Sequence, residues 1–307
     1  MGRRRADDPD IAGVLVVDKP TGMTSHDVVA HVRRGLGMRR VGHTGTLDPG
    51  ATGVLVVAVG RATRLVPYLQ AGRKTYAATM VLGRETDSQD ADGEVVAEAD
   101  ASHLVEDDVC RALKRFVGDI EQIPPMVSAV KVDGERLHAK ARRGEVVERD
   151  PRPVTIHDLV LEEFVPGERA TASFLVTCSA GTYVRTLAHD VGAALEVGGS
   201  LTSLRRLANG AFSAEEAVSL EAVDTLGQDG LRARLLSPDE ALRGFPRVTV
   251  DGDVVGALVN GGRLPEQGID GPWVAVAAAG VVGVYEDVDG VGRAKVVLLR
   301  PEDLASE

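Results

Sequence analysis

The chain has 307 residues, 44% of them hydrophobic and 26% charged, which excludes a disordered, collagenous or coiled-coil chain and suffices to bury a core in about two domains. Only 3% are aromatic, so any stacking on RNA or on a ligand rests on very few rings. The net charge of −11 argues against a nucleic-acid partner only if it is evenly spread, and it is not: residues 28–84 carry nine Lys or Arg and one acid, Asp48, residues 85–108 carry ten acids and no Lys or Arg, and residues 251–307 carry ten acids against four bases. Local potential, not net charge, steers a polyanion.

Residues 1–10 read as a disordered N-terminus; Arg3 to Arg5 are followed by acids, not by the apolar run of a signal peptide. Residues 12–18 (AGVLVVD) predict a strand closed by the turn Lys19-Pro20-Thr21-Gly22. Ser25 is placed to N-cap a helix with Asp27 in its first turn, and Val28, Val29, Val32 and Leu36 form its apolar stripe. Arg33, Arg34, Arg39 and Arg40 fall near the C-terminal end of that helix, where its dipole alone would favour them. Residues 54–59 predict a buried strand, 63–69 a short helix broken by Pro67, and 74–82 (KTYAATMVL) another strand. The acidic stretch that follows reads as a loop. Val105, Val109, Leu113, Phe116 and Val117 recur at helical spacing and predict a helix over 105–117. Further on come a strand at 126–132, a basic helix at 137–143, strands at 154–164 and 172–178 that suit a hairpin, and a helix at 183–195.

A domain boundary falls within 235–245, at Ser237-Pro238 and ahead of Pro246, giving domains of 11–238 and 239–307. Beyond it, short strands around Val248, Val254, Trp273, Val281 and Val296, parted by Gly turns, predict a small β-barrel-like module. Strands and helices do not alternate regularly, so the fold class is α+β and not a doubly wound sheet. The longest apolar run, residues 273–285, is too short for a membrane helix, which needs about 18 residues. Two cysteines, Cys110 and Cys178, make no disulfide framework and suit a reducing, cytoplasmic setting.

The most unusual segment is GHTGTLDPGATG, residues 42–53. Its four glycines, one proline and three threonines form a tightly turned loop that then enters an apolar strand. Asp48 in this loop has two readings. It can cap a turn, as an Asp before Pro often does. As the sole carboxylate among nine cations it is also kept ionised, and an ionised carboxylate serves as a nucleophile or electrostatic stabiliser but is a poor general acid. His43 shares the loop, either as a base or as a substrate or loop contact; an ionised Asp needs no base to activate it. The seven histidines and two cysteines show no metal-ligand spacing, and no phosphate-cradling glycine motif is present, so neither metal nor cofactor is expected.

Taken with this loop, other segments resemble the tRNA pseudouridine synthase B (TruB) family. They are GVLVVDKPTGMTSH from Gly13; Lys74-Thr75-Tyr76 with Leu82-Gly83 and TDSQD from Thr86; PPMVSAVK from Pro124; and CSAGTYVRT from Cys178 with Leu204-Arg205-Arg206. These motifs run in the family's order from Gly13 to Phe212. The resemblance implies a pseudouridine-synthase fold with a mixed, largely antiparallel sheet flanked by helices over 11–238, and a PUA-like module over 239–307. It implies isomerisation of uridine 55 in the TΨC arm of tRNA by a flipped-base mechanism, by a monomer without cofactor, metal, membrane or obligatory protein partner. Asp48 matches the nucleophile, Tyr76 the ring that stacks on the target base and takes its C5 proton, and Arg185 the partner of the catalytic Asp. His43 matches a residue supporting the flipped conformation, and Tyr183 and Leu204 match substrate-pocket positions. His138, Ala180 and Ser88 depart from the family pattern, which usually has Tyr, Lys and Thr there. The alternatives are a synthase for another RNA, a non-catalytic tRNA-binding or tRNA-folding protein, and an Asp-nucleophile hydrolase, which would need a second carboxylate that the cationic window lacks.

The segregated charge gives a first expected outcome. Affinity for tRNA, measured by filter binding over a salt series, falls with salt despite the net charge of −11. Each phosphate neutralised adds about −0.7 to −0.9 to the slope of log K against log salt, and a flat line would place the basic residues elsewhere.

Overall fold

The computed structural model describes residues 8, 11–126, 128, 131, 132, 134–136, 143, 145 and 147–304. The strands are β1 (Ala12–Lys19), β2 (Val41–His43), β3 (Thr52–Gly60), β4 (Lys74–Leu82), β5 (Arg84–Thr86), β6 (Val95–Glu98), β7 (Gly118–Gln122), β8 (Lys131–Val132), β9 (Glu135–Arg136), β10 (Arg152–Val165), β11 (Thr171–Cys178), β12 (Gly199–Asn209), β13 (Phe212–Ser213), β14 (Val218–Ser219), β15 (Arg247–Thr249), β16 (Leu264–Pro265), β17 (Trp273–Ala277), β18 (Gly280–Val288) and β19 (Val291–Val297). The helices that matter here are α1 (Ser25–Leu36), α2 (Val66–Ala71), α3 (Glu106–Lys114) and α4 (Val184–Ala194). The chain divides into two compact units, one of residues 1–48, 54–71 and 210–307, the other of 49–53 and 72–209. The α+β class holds.

In the first unit, β1 lies between β14 and β3, and β2 pairs antiparallel with β3. Successive residues of a strand point to opposite faces. Val14, Val16, Val54, Val56 and Ala58 pack one way, in a cluster with Val274, Val281, Val284 and Val296 of the C-terminal strands. Leu15, Val17, Leu55, Val57 and Val59 pack the other way, against Val28, Val29, Val32 and Leu36 of α1. Burial on both faces explains why these strands read as unbroken apolar runs. The C-terminal strands form a five-stranded sheet, β15-β17-β18-β19-β16, around a second core in which Trp273 stacks on Tyr285 with ring centroids 5.1 Å apart.

In the second unit the sheet order is β12-β4-β11-β10-β7, every neighbour antiparallel. The hairpin of β10 and β11 is present as the sequence suggests. Thr52 and Gly53, which begin β3 but count with this unit, run parallel to Arg205 and Arg206 of β12.

Several local expectations are corrected. The N-cap of α1 is Thr24, not Ser25: the Thr24 hydroxyl accepts from the Asp27 amide while Asp27 accepts from the Thr24 amide. Pro67 sits in the first turn of α2, where its missing N–H costs no hydrogen bond, so it starts the helix and does not break it. The acidic stretch is not wholly loop, because β5 and β6 form a ribbon across it. The helix expected over 105–117 is confined to α3, with Val105 and Val117 exposed at its flanks. Val254 lies in a helix, Gly252–Leu258, and not in a strand. The strand expected at 126–132 is seen only at Lys131–Val132; residues 127, 129 and 130 lie outside the described residues, as do residues 137–142 of the expected basic helix and, apart from Asp8, residues 1–10, the stretch expected to be disordered.

Gly53 shows how tightly the loop strand is held. Its φ is +99°, and a Cβ there would lie 2.2 Å from the Arg206 carbonyl oxygen, a backbone atom. Gly53→Ala therefore meets both a backbone penalty and a clash. It is expected to lower stability by about 1–3 kcal/mol in chemical denaturation, against no change if β3 and β12 can part freely.

Candidate active site

His43 and Asp48 belong to one loop of the first unit. β2 ends at His43, opposite Val57, and the Thr44 amide donates to the Val56 carbonyl at 3.0 Å, so the loop departs from a hydrogen-bonded ribbon. Asp48 is half-buried, as is His43. The Gly45 amide donates to Nδ1 of His43 at 3.3 Å, and the His43 ring meets His26 edge to face at 5.2 Å. One residue before Asp48, the backbone of Leu47 is held from α1: the Ser25 hydroxyl accepts from its N–H at 2.8 Å and donates to its carbonyl at 3.1 Å.

Tyr76, Tyr183, Arg185 and Leu204 belong to the second unit. Tyr76 is buried in the middle of its sheet, with Val176 of β11 on one side and Arg206 of β12 on the other. Leu204 pairs with Ala78, two residues along β4, so it sits diagonal to Tyr76 on the same face. Tyr183 leads into α4, and the buried Gln122 side chain fixes it by accepting from its amide at 3.0 Å and donating to its carbonyl at 3.2 Å. Arg185 lies in the first turn of α4, 4% exposed, with its guanidinium 5.9 Å from the centre of the Tyr183 ring.

Nη1 of Arg185 donates to Asp90 Oδ2 at 3.2 Å. The sequence reading assigned Asp90 no role, although it lies within the TDSQD motif. The turn that carries it is locked in place. Asp90 Oδ1 accepts from the Ser88 hydroxyl at 2.5 Å, the Thr86 hydroxyl donates to the Asp90 carbonyl at 2.7 Å, and the Thr186 hydroxyl donates to Gln89 Oε1 at 2.8 Å. Ser88, one of the departures from the family pattern, thus retains a hydroxyl's function. Ala180 is exposed, and His138 lies outside the described residues.

Beside Tyr76 the sheet buries polar groups. Lys74 pairs across the strands with Cys178 and Asn209, and its ammonium donates to the Gly72 carbonyl at 2.6 Å. Burial, with Arg206 adding like charge, pushes Lys74 down to about 8, and burial pushes the Cys178 thiol up to about 11. The cations of residues 28–84 differ in exposure. Lys74 is inside and Arg61 half-buried; Arg61 and Arg64 donate to the carbonyls of Leu298 and Val297, Arg33 donates to that of Val41, and Arg84 pairs with Glu98. Arg33, Arg34, Arg39, Arg40, Arg64, Arg73 and Arg84 are exposed. Among the described residues no group of three or more His, Cys, Asp or Glu side chains is arranged to hold a metal, and no helix is long and apolar enough to cross a membrane.

The fold and these motifs define a pseudouridylate-synthase class. The N-terminal domain model of the TruB family pseudouridylate synthases matches residues 33–184, and that of the tRNA pseudouridylate synthase B C-terminal domain matches 185–243. A protein named tRNA pseudouridine synthase B from Symbiobacterium thermophilum is 56% identical over 82% of this chain and 83% of its own length. One of the same name from Nocardia farcinica is 44% identical over 99% of each. A chain of a solved Cbf5-Nop10-Gar1 complex superposes with a TM-score of 0.75 at 26% identity, over 98% of this chain and 94% of that one. The chain belongs to the TruB family.

The buried amine yields a pH signature. The folded chain has lost the Lys74 proton above about 8, whereas the unfolded chain keeps it to about 10.5, so the stability contributed at this site rises with pH across that window. Denaturation midpoints of the wild type relative to Lys74→Met should rise accordingly, by at most about 1.4 kcal/mol per pH unit. The raised Cys178 thiol acts oppositely between about 9 and 11 but is common to both proteins and largely cancels. A difference independent of pH would show the amine to be solvated.

Proposed function

We propose that the chain isomerises uridine 55 in the TΨC arm of tRNA to pseudouridine, with Asp48 as nucleophile. The observation that carries this reading is the placement of Asp48: the family's nucleophile position falls on a half-buried carboxylate in a loop anchored by the β2–β3 ribbon and by Ser25. A base inside a folded RNA arm must leave its stack to be reached. Asp48 attacks the flipped nucleotide, the bond from C1′ to N1 breaks, the base turns, and a bond from C1′ to C5 forms as the bond to Asp48 is released. N1 gains a proton and C5 loses one, so atoms balance and no metal, nucleotide or redox partner is needed.

In this reading Tyr76 stacks on the base and takes the C5 proton. Arg185, held by Asp90 and buried in the first turn of α4, supplies the positive charge that keeps the nucleophile ionised. His43 supports the flipped conformation, and Tyr183 and Leu204 line the base pocket. Residues 11–238 carry the reaction, and residues 239–307, with their own sheet and core, act as a PUA-like module on the RNA. The relatives' name, tRNA pseudouridine synthase B, supports tRNA as substrate. A cytoplasmic monomer acting without a protein partner completes the reading.

Asp48→Asn keeps shape and loses the nucleophile. Its purified form should bind tRNA like wild type and form no pseudouridine, as read by mapping position 55. Turnover near the wild-type rate would remove Asp48 from the chemistry, and product at another position or only in another RNA would move the substrate. In the same assay Tyr76→Phe should bind normally and turn over very slowly, because the stacking face stays and only the hydroxyl goes. A fully active Phe variant would remove Tyr76 from proton transfer.

A further inference from the structure

The first turn of α1 carries more polar chemistry than a helix start requires. Thr24 and Asp27 already satisfy the cap between them, so the Ser25 hydroxyl is not needed there. That hydroxyl is buried, 1% exposed, and reaches across 22 residues of sequence to bind both backbone polar groups of Leu47. The loop it grips contains Gly45 and Gly50 and has no regular structure of its own between β2 and β3. A single donor–acceptor group that engages the N–H and the C=O of one residue fixes both peptide planes around it, and the second of these planes leads directly into Asp48. The Leu47 side chain is buried as well, so the residue is held by both its side chain and its backbone. Next in sequence, His26 places its ring edge to face against His43, at 5.2 Å and 86°. The base of this device is rigid, because Val28, Val29, Val32 and Leu36 fix α1 in the core.

We propose that the first turn of α1 positions the reactive loop, Ser25 by setting the backbone at Leu47 and hence the aim of the Asp48 carboxylate, and His26 by setting the ring of His43. The inference rests on the reading of Asp48 as nucleophile. Ser25 and His26 are positioning residues and touch no reacting atom. Ser25 acts on the rate of the chemical step, because misplacing a reacting group by a fraction of its reach weakens the transition state while the distant RNA contacts persist.

The test uses the full chain, a tRNA transcript tritiated at uridine C5, single-turnover release of tritium, and filter binding, all well below the melting temperature of each variant. Ser25→Ala should slow the chemical step roughly 10- to 100-fold, with tRNA affinity unchanged. Ser25→Thr, which keeps the hydroxyl, should restore most of the rate. Should Ser25→Ala fail to fold, Ser25→Cys, a much weaker hydrogen-bonding group of similar size, takes its place and should also be slowed. A rate equal to wild type in folded Ser25→Ala or Ser25→Cys, or a Thr variant as slow as Ala, overturns the role of Ser25. His26→Ala should be slowed and His26→Phe, which keeps an aromatic edge, should not; equal rates in wild type and His26→Ala overturn the role of His26. Asp48→Asn run alongside separates the two readings. If it is active, the nucleophile assignment fails; if it is inactive while Ser25→Ala matches wild type, only the positioning proposal fails.

Discussion

Burial of β1 and β3 on both faces is the constraint on which the first unit depends. A strand with one wet face can alternate polar and apolar residues; these two cannot, because every side chain from Val14 to Val17 and from Val54 to Val59 is inside. Each such side chain is worth roughly 1.5–3 kcal/mol, so leaving one face uncovered would consume a typical domain's net stability of about 5–15 kcal/mol. Two covers are therefore obligatory. α1 supplies one, and Val274, Val281, Val284 and Val296 supply the other. The C-terminal strands are structural to the unit that holds the Asp48 loop, whatever else they bind. Arg61 and Arg64 reinforce this by donating to carbonyls just beyond and within β19.

The second unit gives its charged groups fixed partners. Arg185 donates to Asp90, and the turn bearing Asp90 is tied to itself and to α4 by hydroxyl groups. Lys74, two residues before Tyr76 on β4, and Arg206, the neighbour of Tyr76 on β12, are both buried, a placement that desolvation alone would disfavour.

Much of this was legible from residues alone, and the failures have physical causes. β1, β3, β4, β10 and β11 could be read because apolar runs or strict alternation mark them. β12 could not, because its buried Arg206 and Asn209 break the apolar pattern. Val254 was misread because valines flanked by Gly and Asp suit a strand in a barrel as well as one turn of helix. Thr24 and Ser25 are both good caps, and only the contact with Leu47 shows that Ser25 is engaged elsewhere. The loop at Asp48 was recognisable by composition and resemblance. Asp90 was visible within its motif but had no role until Arg185, 95 residues later, was seen beside it. The cations between residues 28 and 84 could be counted, but the sequence does not show that Lys74 is buried or that Arg33, Arg61 and Arg64 donate to backbone carbonyls.

The shared core of β1, β3 and the C-terminal strands also bears on how the chain is made. β1 is synthesised well before the strands carrying Val281, Val284 and Val296, yet residues of both share one cluster. Contacts between segments far apart in sequence close slowly, because the loop entropy must be overcome before any contact rewards it. Until then one apolar face of β1 and β3 is only partly covered, by residues such as Leu65, Leu69 and Phe212, and is open to misassociation. The loop bearing Asp48 is translated earlier, but the frame behind it is completed only when β17, β18 and β19 arrive. A chain stopped short of β18 would therefore carry every residue assigned to the chemistry and still lack a finished scaffold to aim them.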